Sequence, residues 1–293
     1  MGVSHLFAAL LAAGAASPQA PSLELLIPAY FYPTSWTPEN YYWDELRAAA
    51  KSGVPMTVIM NPANGHEPMD PTYLTELKEL KKIKSESGRS ASVIAYISTC
   101  WATSPCKQGA PPAQPGTDEF EQALARIASE IDIYASYYET DGHTLQGVFL
   151  DEMSTQASAL PFYERVATHV RTNHPGWTIV GNPGTEGETA SDYLAVANIL
   201  VTFEGTYRMY DNRDVDSVVP ADRQAHIITN TYSAQQMTDL VNGARGNASY
   251  IYVTDQFQPT QDEEDKTAPA GQDDKPYNQL PSYWDVELTE VSK

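Results

Sequence analysis

Eight short runs of β-branched and aromatic residues recur along the chain, separated by polar or amphipathic stretches. The runs cover residues 23–30, 54–62, 92–98, 147–153, 177–184, 198–205, 225–232 and 250–255. Each run is almost continuously apolar, which is typical of strands that are buried on both faces of a sheet. The pattern therefore predicts eight buried β-strands.

Segments with the periodicity of amphipathic helices lie between these runs. The clearest cover residues 71–87, 117–138 and 160–175. In the second segment, apolar residues recur at intervals of three and four positions, which is the spacing of one helix face. These residues are Phe120, Leu124, Ile127 and Ile131. Pro71 and Thr117 are residue types that commonly begin helices.

This alternation of strands and helices predicts a parallel sheet. Eight strands favour closure into a single (β/α)8 TIM-type barrel over residues 21–293. An open dinucleotide-binding sheet is disfavoured because no GxGxxG motif follows the first strand. Residues 256–281 are rich in Pro, Asp and Gln, which predicts a long, acidic, solvated loop. The residues that follow are expected to form the closing helix.

The N-terminal residues 1–20 contain an apolar run from Leu6 to Ala16 that is followed by small residues. This pattern is typical of a secretory signal peptide, with a buried N-terminal helix as the alternative. The run is too short to span a bilayer, and no later segment is apolar enough for a transmembrane helix. We therefore expect a secreted protein that is extracellular or associated with the cell wall.

The only two cysteines, Cys100 and Cys106, lie close together in one predicted loop. In an oxidising compartment they can form a local disulfide, and the alternative is two free thiols. They are not expected to hold a metal because no histidine lies near them at ligand spacing. Asn247 begins an Asn-Ala-Ser sequon and is a candidate glycosylation site.

The chain is strongly acidic, with 38 acidic residues against 18 basic ones and a formal net charge of -20. Nucleic acid is an improbable partner because phosphate binding requires a basic face. Such a charge attracts cationic ligands, for example a partly deacetylated amino-sugar polymer. An equally weighted alternative is that the acidity serves only solubility.

Carboxylates follow two of the predicted strands at the end where barrel enzymes carry their chemistry. Asp151 and Glu152 come directly after the apolar run of the fourth strand, and Glu204 ends the sixth strand before Gly205, where the backbone is expected to turn. Strand alternation sends Asp151 and Glu152 to opposite sides unless the chain bends. One of them is therefore expected to face the barrel mouth and the other to support it.

Two carboxylates that converge from different strands can divide the work of glycosidic cleavage. One attacks the anomeric carbon or activates water, while the other protonates the leaving oxygen. Taken singly, each acid is equally well explained as a helix cap or a salt-bridge partner. Their placement on one barrel face favours a catalytic function for Asp151, Glu204 and Glu152.

Other polar and aromatic residues at the same strand ends are candidates for substrate binding, since tyrosine and tryptophan rings can stack on sugars. These candidates are Tyr30, Asn61, Tyr96, Trp101, Asn182, Tyr232 and Asp255. Other chemistries have little support, because GxSxG, HExxH and P-loop motifs are absent from the sequence and its six histidines are scattered. No cofactor and no catalytic metal are implied.

The motifs IPAYFYP, VIMNPANG, GVFLDE, GNPG, TFEG, YVTD and LPSYW occur in this order between Leu26 and Trp284. Together they resemble the spherulin-4-like family, glycoside hydrolase family 135. The resemblance implies a (β/α)8 barrel and endo-acting cleavage of α-1,4-linked N-acetylgalactosamine in galactosaminogalactan. It places the family's acidic pair on Asp151 and Glu152 and its second glutamate on Glu204. Related retaining enzymes suggest Asp151 as the nucleophile and Glu204 as the acid/base.

Two other functions remain open at this point. The same barrel can serve as a non-catalytic carbohydrate-binding or spore and cyst coat protein, although two poised acids favour an enzyme. A glycosidase that acts on another α-linked sugar, such as galactan or a deacetylated galactosamine polymer, is the third hypothesis. The expected partner in each case is a polysaccharide.

Overall fold

The computed structural model describes residues 22–33, 41–65, 69–85, 91–139, 145–187, 190–211, 217–260, 269, 272 and 274–293. The predicted signal peptide, residues 1–20, lies outside the described residues. The predicted loop at 256–281 is described in part.

Eight parallel strands form a closed barrel in which neighbours along the chain are neighbours in the sheet. The strands are β1 (Glu24–Ala29), β2 (Met56–Met60), β3 (Ser92–Ser98), β4 (Gly147–Asp151), β5 (Thr178–Gly181), β6 (Ile199–Thr206), β7 (Gln224–Thr229) and β8 (Tyr250–Val253). Pairing of Glu24 with Tyr250 and of Leu25 with Ile251 joins β1 to β8 and closes the ring. The predicted (β/α)8 barrel is confirmed.

Helices lie between the strands and form the outer layer of the barrel. They are α1 (Tyr42–Ser52), α2 (Pro71–Lys82), α3 (Asp118–Tyr138), α4 (Leu160–Asn173), α5 (Ala190–Tyr193), α6 (Tyr207–Asp211), α7 (Ala234–Ala244) and α8 (Trp284–Val291). No helix within the described ranges is both long enough and apolar enough to cross a membrane.

The strand interiors are buried almost without interruption, as their apolar runs predict. Every residue of β2 and β7 is buried, because one strand face packs inside the barrel and the other packs against the helices. The four apolar residues that were predicted to share one face of α3 are also buried, from Phe120 to Ile131.

Two helix starts match the sequence signals. Asp70 caps α2 by accepting hydrogen bonds from the backbone N–H groups of Thr72 and Tyr73, directly before Pro71 at the first helical position. The hydroxyl of Thr117 accepts a hydrogen bond from the N–H of Phe120 and caps α3. The α2 helix ends at Lys82, earlier than the periodicity to residue 87 predicts, because Ile83 is extended.

The sixth strand differs from its prediction. The turn expected at Gly205 does not occur there, because β6 continues to Thr206 and pairs with β7 beyond Glu204. The register shifts between Val201 and Phe203. Glu204 is therefore held within a paired strand rather than in a loop.

The pairing of β4 with β5 leaves no room for a side chain at position 147. A Cβ atom on Gly147 would lie 2.0 Å from the carbonyl oxygen of Thr178, far inside van der Waals contact. We predict that Gly147→Ala lowers the free energy of unfolding by about 3 kcal/mol. Urea denaturation followed by circular dichroism measures this change.

Gly243→Ala is the matched control, since nothing lies within 4 Å of its Cβ position and Gly243 is exposed within α7. It should raise the free energy of unfolding by about 0.5 kcal/mol through helix propensity. Equal stability of the two variants would show that β4 and β5 are not packed as described.

Candidate active site

The side-chain amide of Asn182 bridges two acidic residues at the carboxyl ends of neighbouring strands. Its Nδ2 donates to Oδ1 of Asp151 at 2.7 Å and to Oε2 of Glu204 at 2.6 Å. Asn182 directly follows β5, whereas the two acids lie on the flanking strands β4 and β6. The structure therefore places Asp151 and Glu204 in one common site, as the sequence analysis predicts.

The orientation of this amide is fixed by the turn that follows it. Oδ1 of Asn182 accepts a hydrogen bond from the N–H of Gly184 at 2.9 Å, so the nitrogen must face the two carboxylates. Gly184 has a φ of 69°, a left-handed conformation that favours glycine, and its carbonyl oxygen accepts from the N–H of Glu204. The GNPG motif thus orients both Asn182 and the backbone of Glu204.

Asp151 is surrounded by further hydrogen-bond donors. Its carboxyl group accepts from the Tyr96 hydroxyl and from the backbone N–H of Glu152. Burial, and then the nearby negative charge of Glu204, raise the pKa of Asp151 to about 7, although the two hydrogen bonds oppose this shift. Near neutral pH the pair therefore takes up a proton far more readily than two carboxylates in water do.

The chain bends at Glu152, which separates the two adjacent acids. Glu152 has a φ of 54°, and its Oε2 accepts a hydrogen bond from the Ser98 hydroxyl at 2.5 Å. Strand alternation alone would have sent the two side chains to opposite faces. With the bend, Asp151 contacts Asn182, whereas Glu152 is hydrogen-bonded to Ser98 at the end of β3. This arrangement suits a supporting position for Glu152.

Tyr277 is a site residue that the sequence analysis missed. Its hydroxyl donates to Oε1 of Glu204 at 2.5 Å, so both carboxylate oxygens of Glu204 have donors. Burial and the charge of Glu204 raise the pKa of the Tyr277 hydroxyl well above its usual range, which keeps it protonated as a donor. Tyr277 lies in the segment predicted as a solvated loop, and no sequence signal there points to the site.

Three tyrosine rings line the carboxylate pair. The ring of Tyr30 meets those of Tyr96 and Tyr277 edge to face, each with a centroid distance of 5.4 Å. Such rings provide apolar surfaces beside polar groups, which is the combination that sugar binding uses. The predicted candidates Tyr30, Tyr96 and Asn182 are thus brought together with the acids.

The loop after β3 is hydrogen-bonded to the backbone of Asp151 and Glu152. Trp101 donates its N–H to the carbonyl oxygen of Glu152 at 2.8 Å, and Thr99 donates its N–H to that of Asp151 at 2.9 Å. Cys100 and Cys106 form a disulfide in this loop. Trp101 is half-buried with a φ of 52°, so the predicted binding residue is held beside the site by its backbone.

The side-chain hydrogen bonds described for Asn61 and Asp255 do not involve Asp151 or Glu204. Asn61 is buried after β2, and its Oδ1 is enclosed without a hydrogen-bond partner in the described parts of the chain. Tyr232 is 50% exposed. Asp255 accepts from Gln256 and from the N–H of Ser282, so its described contacts tie β8 to the segment before α8. Asn247 is exposed, as a glycan acceptor must be.

Comparisons with known proteins add an independent relationship. The family model of spherulation-specific family 4 matches residues 24–291. Spherulin-4 from Physarum polycephalum is 28% identical over 187 residues, which cover 62% of this chain and 45% of that protein. The matched segment thus spans less than half the length of this relative.

Solved structures share the barrel. Sph3 from Aspergillus clavatus, solved in complex with GalNAc, aligns with a TM-score of 0.69 at 21% identity and covers 93% of this chain and 98% of that chain. A family 39 glycoside hydrolase from Bacteroides cellulosilyticus aligns with a TM-score of 0.52 at 10% identity, covering 93% and 64%. At these identities the likeness establishes a common fold.

The raised pKa of Asp151 has a consequence for stability. In the unfolded chain an aspartate ionises near pH 4, whereas folded Asp151 ionises at about 7. The free energy of unfolding of the wild type therefore falls as the pH rises through this window, because ionising Asp151 is more costly in the folded state than in the unfolded chain. Asp151→Asn cannot ionise. Its free energy of unfolding, relative to the wild type, should rise by about 2 kcal/mol between about pH 5 and about pH 8.

Urea unfolding at the two pH values measures this difference. Glu164→Gln, on the exposed face of α4, removes one carboxylate outside the site and is the control; it should show no comparable pH dependence. A stability difference between Asp151→Asn and wild type that does not change with pH would contradict the raised pKa.

Proposed function

This chain belongs to spherulation-specific family 4, and we propose that it is a secreted, endo-acting glycoside hydrolase. Its proposed substrate is the α-1,4-linked N-acetylgalactosamine of a galactosaminogalactan-type exopolysaccharide. The observation that carries the proposal is the pair of carboxylates, Asp151 and Glu204, that share one amide nitrogen beside a cluster of tyrosines.

The spacing of the pair supports a retaining mechanism. Retaining glycosidases hold their two carboxyl groups about 5 to 5.5 Å apart, and inverting enzymes need a wider gap for a water molecule. Oδ1 of Asp151 and Oε2 of Glu204 both bond to Nδ2 of Asn182, at 2.7 and 2.6 Å. The distance between these two oxygens therefore cannot exceed the combined length of the two hydrogen bonds. This bound is compatible with the retaining spacing, and we propose a direct attack on the anomeric carbon rather than activation of an intervening water.

In the proposed reaction, ionised Asp151 attacks the anomeric carbon while Glu204 protonates the departing glycosidic oxygen. Water, deprotonated by Glu204, then releases the sugar from Asp151. The pKa of Asp151 is raised, so these roles require the shared proton to lie on Glu204 before the attack. Asn182 contacts both groups and preserves their spacing while the charge shifts between them.

The substrate class is supported by the bound sugar in Sph3, which is GalNAc. The rings of Tyr30 and Tyr96 beside the two carboxylates supply apolar and polar groups for contacts with such a sugar. Two features support the proposed secretion. They are the predicted signal peptide and the Cys100–Cys106 disulfide, since disulfides persist in oxidising compartments.

The decisive experiment incubates the purified protein with defined α-1,4-linked N-acetylgalactosamine and galactosamine oligomers and identifies the products by mass spectrometry. Asp151→Asn and Glu204→Gln should each lower the hydrolysis rate at least about 10³-fold, because each removes a group that acts in the transition state. Binding of the oligomers, measured by calorimetry, should persist in both variants. Glu164→Gln should retain the wild-type rate.

Each alternative function gives a different result. Binding without any product would favour the non-catalytic carbohydrate-binding or coat protein. Cleavage of only the deacetylated oligomer, or of an α-linked galactan, would correct the substrate. Unchanged product release by both acid variants would rule out the assigned site. The anomeric configuration of the first product, followed by NMR, tests retention directly.

Tyr277 should act as a positioning residue for Glu204. Tyr277→Phe removes the donor to Oε1 while keeping the ring, and hydrogen bonds to charged groups contribute about 1.5 to 3 kcal/mol. We predict that kcat falls about 10- to 100-fold while KM changes less than about threefold. Steady-state kinetics on the preferred oligomer measures both constants.

Tyr137→Phe, which removes a hydroxyl from α3 on the outer layer, should retain wild-type kcat and serves as the control. A loss of activity in Tyr277→Phe that appears only as a raised KM would instead assign Tyr277 to substrate binding.

A further inference from the structure

A second cluster of polar side chains lies on the outer layer of the barrel, where α3 faces the end of α4. Oδ1 of Asp132, on α3, lies 2.8 Å from Nε2 of His169, within α4, and 3.2 Å from Nε2 of His174, which follows α4. One ligand atom from each residue lies within 4.8 Å of the other two. The packing of α3 against α4 thus brings Asp132 beside two histidines at the end of α4.

The spacing of these atoms suits a small transition-metal ion. Zinc binds imidazole nitrogen and carboxylate oxygen at about 2.0 to 2.2 Å, so tetrahedral ligands lie about 3.3 Å apart. The 3.2 Å distance from Asp132 to His174 is close to this value, and the 2.8 Å distance to His169 is shorter. Asp132 is exposed and both histidines are half-buried, so the Asp132 side chain can move outward to admit an ion between them.

Neighbouring groups hold both imidazoles in position. The ring of His174 stacks on that of Trp177, with centroids 4.4 Å apart and an interplanar angle of 23°. Trp177 in turn donates its indole N–H to Glu139 at 3.0 Å. Nδ2 of Asn173 lies 3.1 Å from Nδ1 of His169, and a half-turn of this amide would place its oxygen to accept the Nδ1–H of a metal-bound imidazole. Such outer contacts commonly orient the histidines of metal sites.

We propose that Asp132, His169 and His174 bind Zn²⁺, with water completing a tetrahedral coordination. The side chain of Asp132 is 53% exposed, so the fourth position opens to solvent. The site lies among the outer helices, whereas Asp151 and Glu204 lie at the strand ends of β4 and β6. The ion links α3 to the end of α4 and stabilises the barrel without taking part in the reaction.

The test uses the full chain with any histidine tag removed, stripped of metal with a chelator and kept in about 0.15 M NaCl. This salt screens diffuse attraction of cations to the acidic surface. Calorimetric titration with Zn²⁺ should give one site per chain, and Co²⁺ should show the visible absorption bands of tetrahedral coordination. Zn²⁺ should also raise the thermal unfolding midpoint. Ca²⁺, which prefers clusters of oxygen ligands, should not compete.

Asp132→Asn and His174→Gln should each weaken Zn²⁺ binding at least about tenfold and abolish the Co²⁺ bands. Glu119→Gln makes the same charge change as Asp132→Asn at an exposed position near the start of α3, and it should bind Zn²⁺ like the wild type. Failure of the wild type to bind Zn²⁺, or equal affinity in all variants, would overturn the proposal.

Discussion

The geometry of the candidate active site depends on one side-chain amide that bonds to two acidic side chains and holds them close together. Asn182 can do this because the barrel places β5 between β4 and β6, so the residue after the middle strand lies between the acids of its neighbours. The N–H of Gly184 then fixes which end of the amide faces them. Repulsion between like charges in a poorly solvated site would otherwise drive the side chains apart.

The same end of the barrel concentrates backbone conformations that are costly for residues with side chains. Among the described residues, the non-glycine positions with positive φ all follow the carboxyl ends of strands. They are Ala63, Asn64, Cys100, Trp101, Ala102, Glu152 and Asn230. Such conformations persist where surrounding contacts over-determine them. At Glu152 those contacts are the hydrogen bonds from Ser98 and Trp101. They hold the strained backbone at Glu152, and this conformation fixes the position of the adjacent Asp151.

The strands and the acidic pair could be predicted because each produces a recognisable local pattern in the sequence. A strand buried on both faces is almost continuously apolar, and Asp151 and Glu204 interrupt such runs. The bridge through Asn182 depends instead on strand order and on a single turn, which sequence patterns do not encode. Tyr277 could not be found because it reaches Glu204 from a polar segment more than seventy residues away. The continuation of β6 through Gly205 likewise depends on pairing with β7, which overrides the local turn signal.

The described parts of the segment between β8 and α8 contact the candidate site, although several of their residues are exposed. Near its start, Asn230 bonds to both the N–H and the carbonyl oxygen of Gln258. Near its end, the N–H of Ser282 bonds to the carboxylate of Asp255, and between these anchors Tyr277 contacts Glu204. Because both anchors are residues at the ends of β7 and β8, the barrel itself fixes the position from which Tyr277 approaches. Asp255, which the sequence suggests as a binding residue, ties the end of β8 to this segment through its contacts with Gln256 and Ser282.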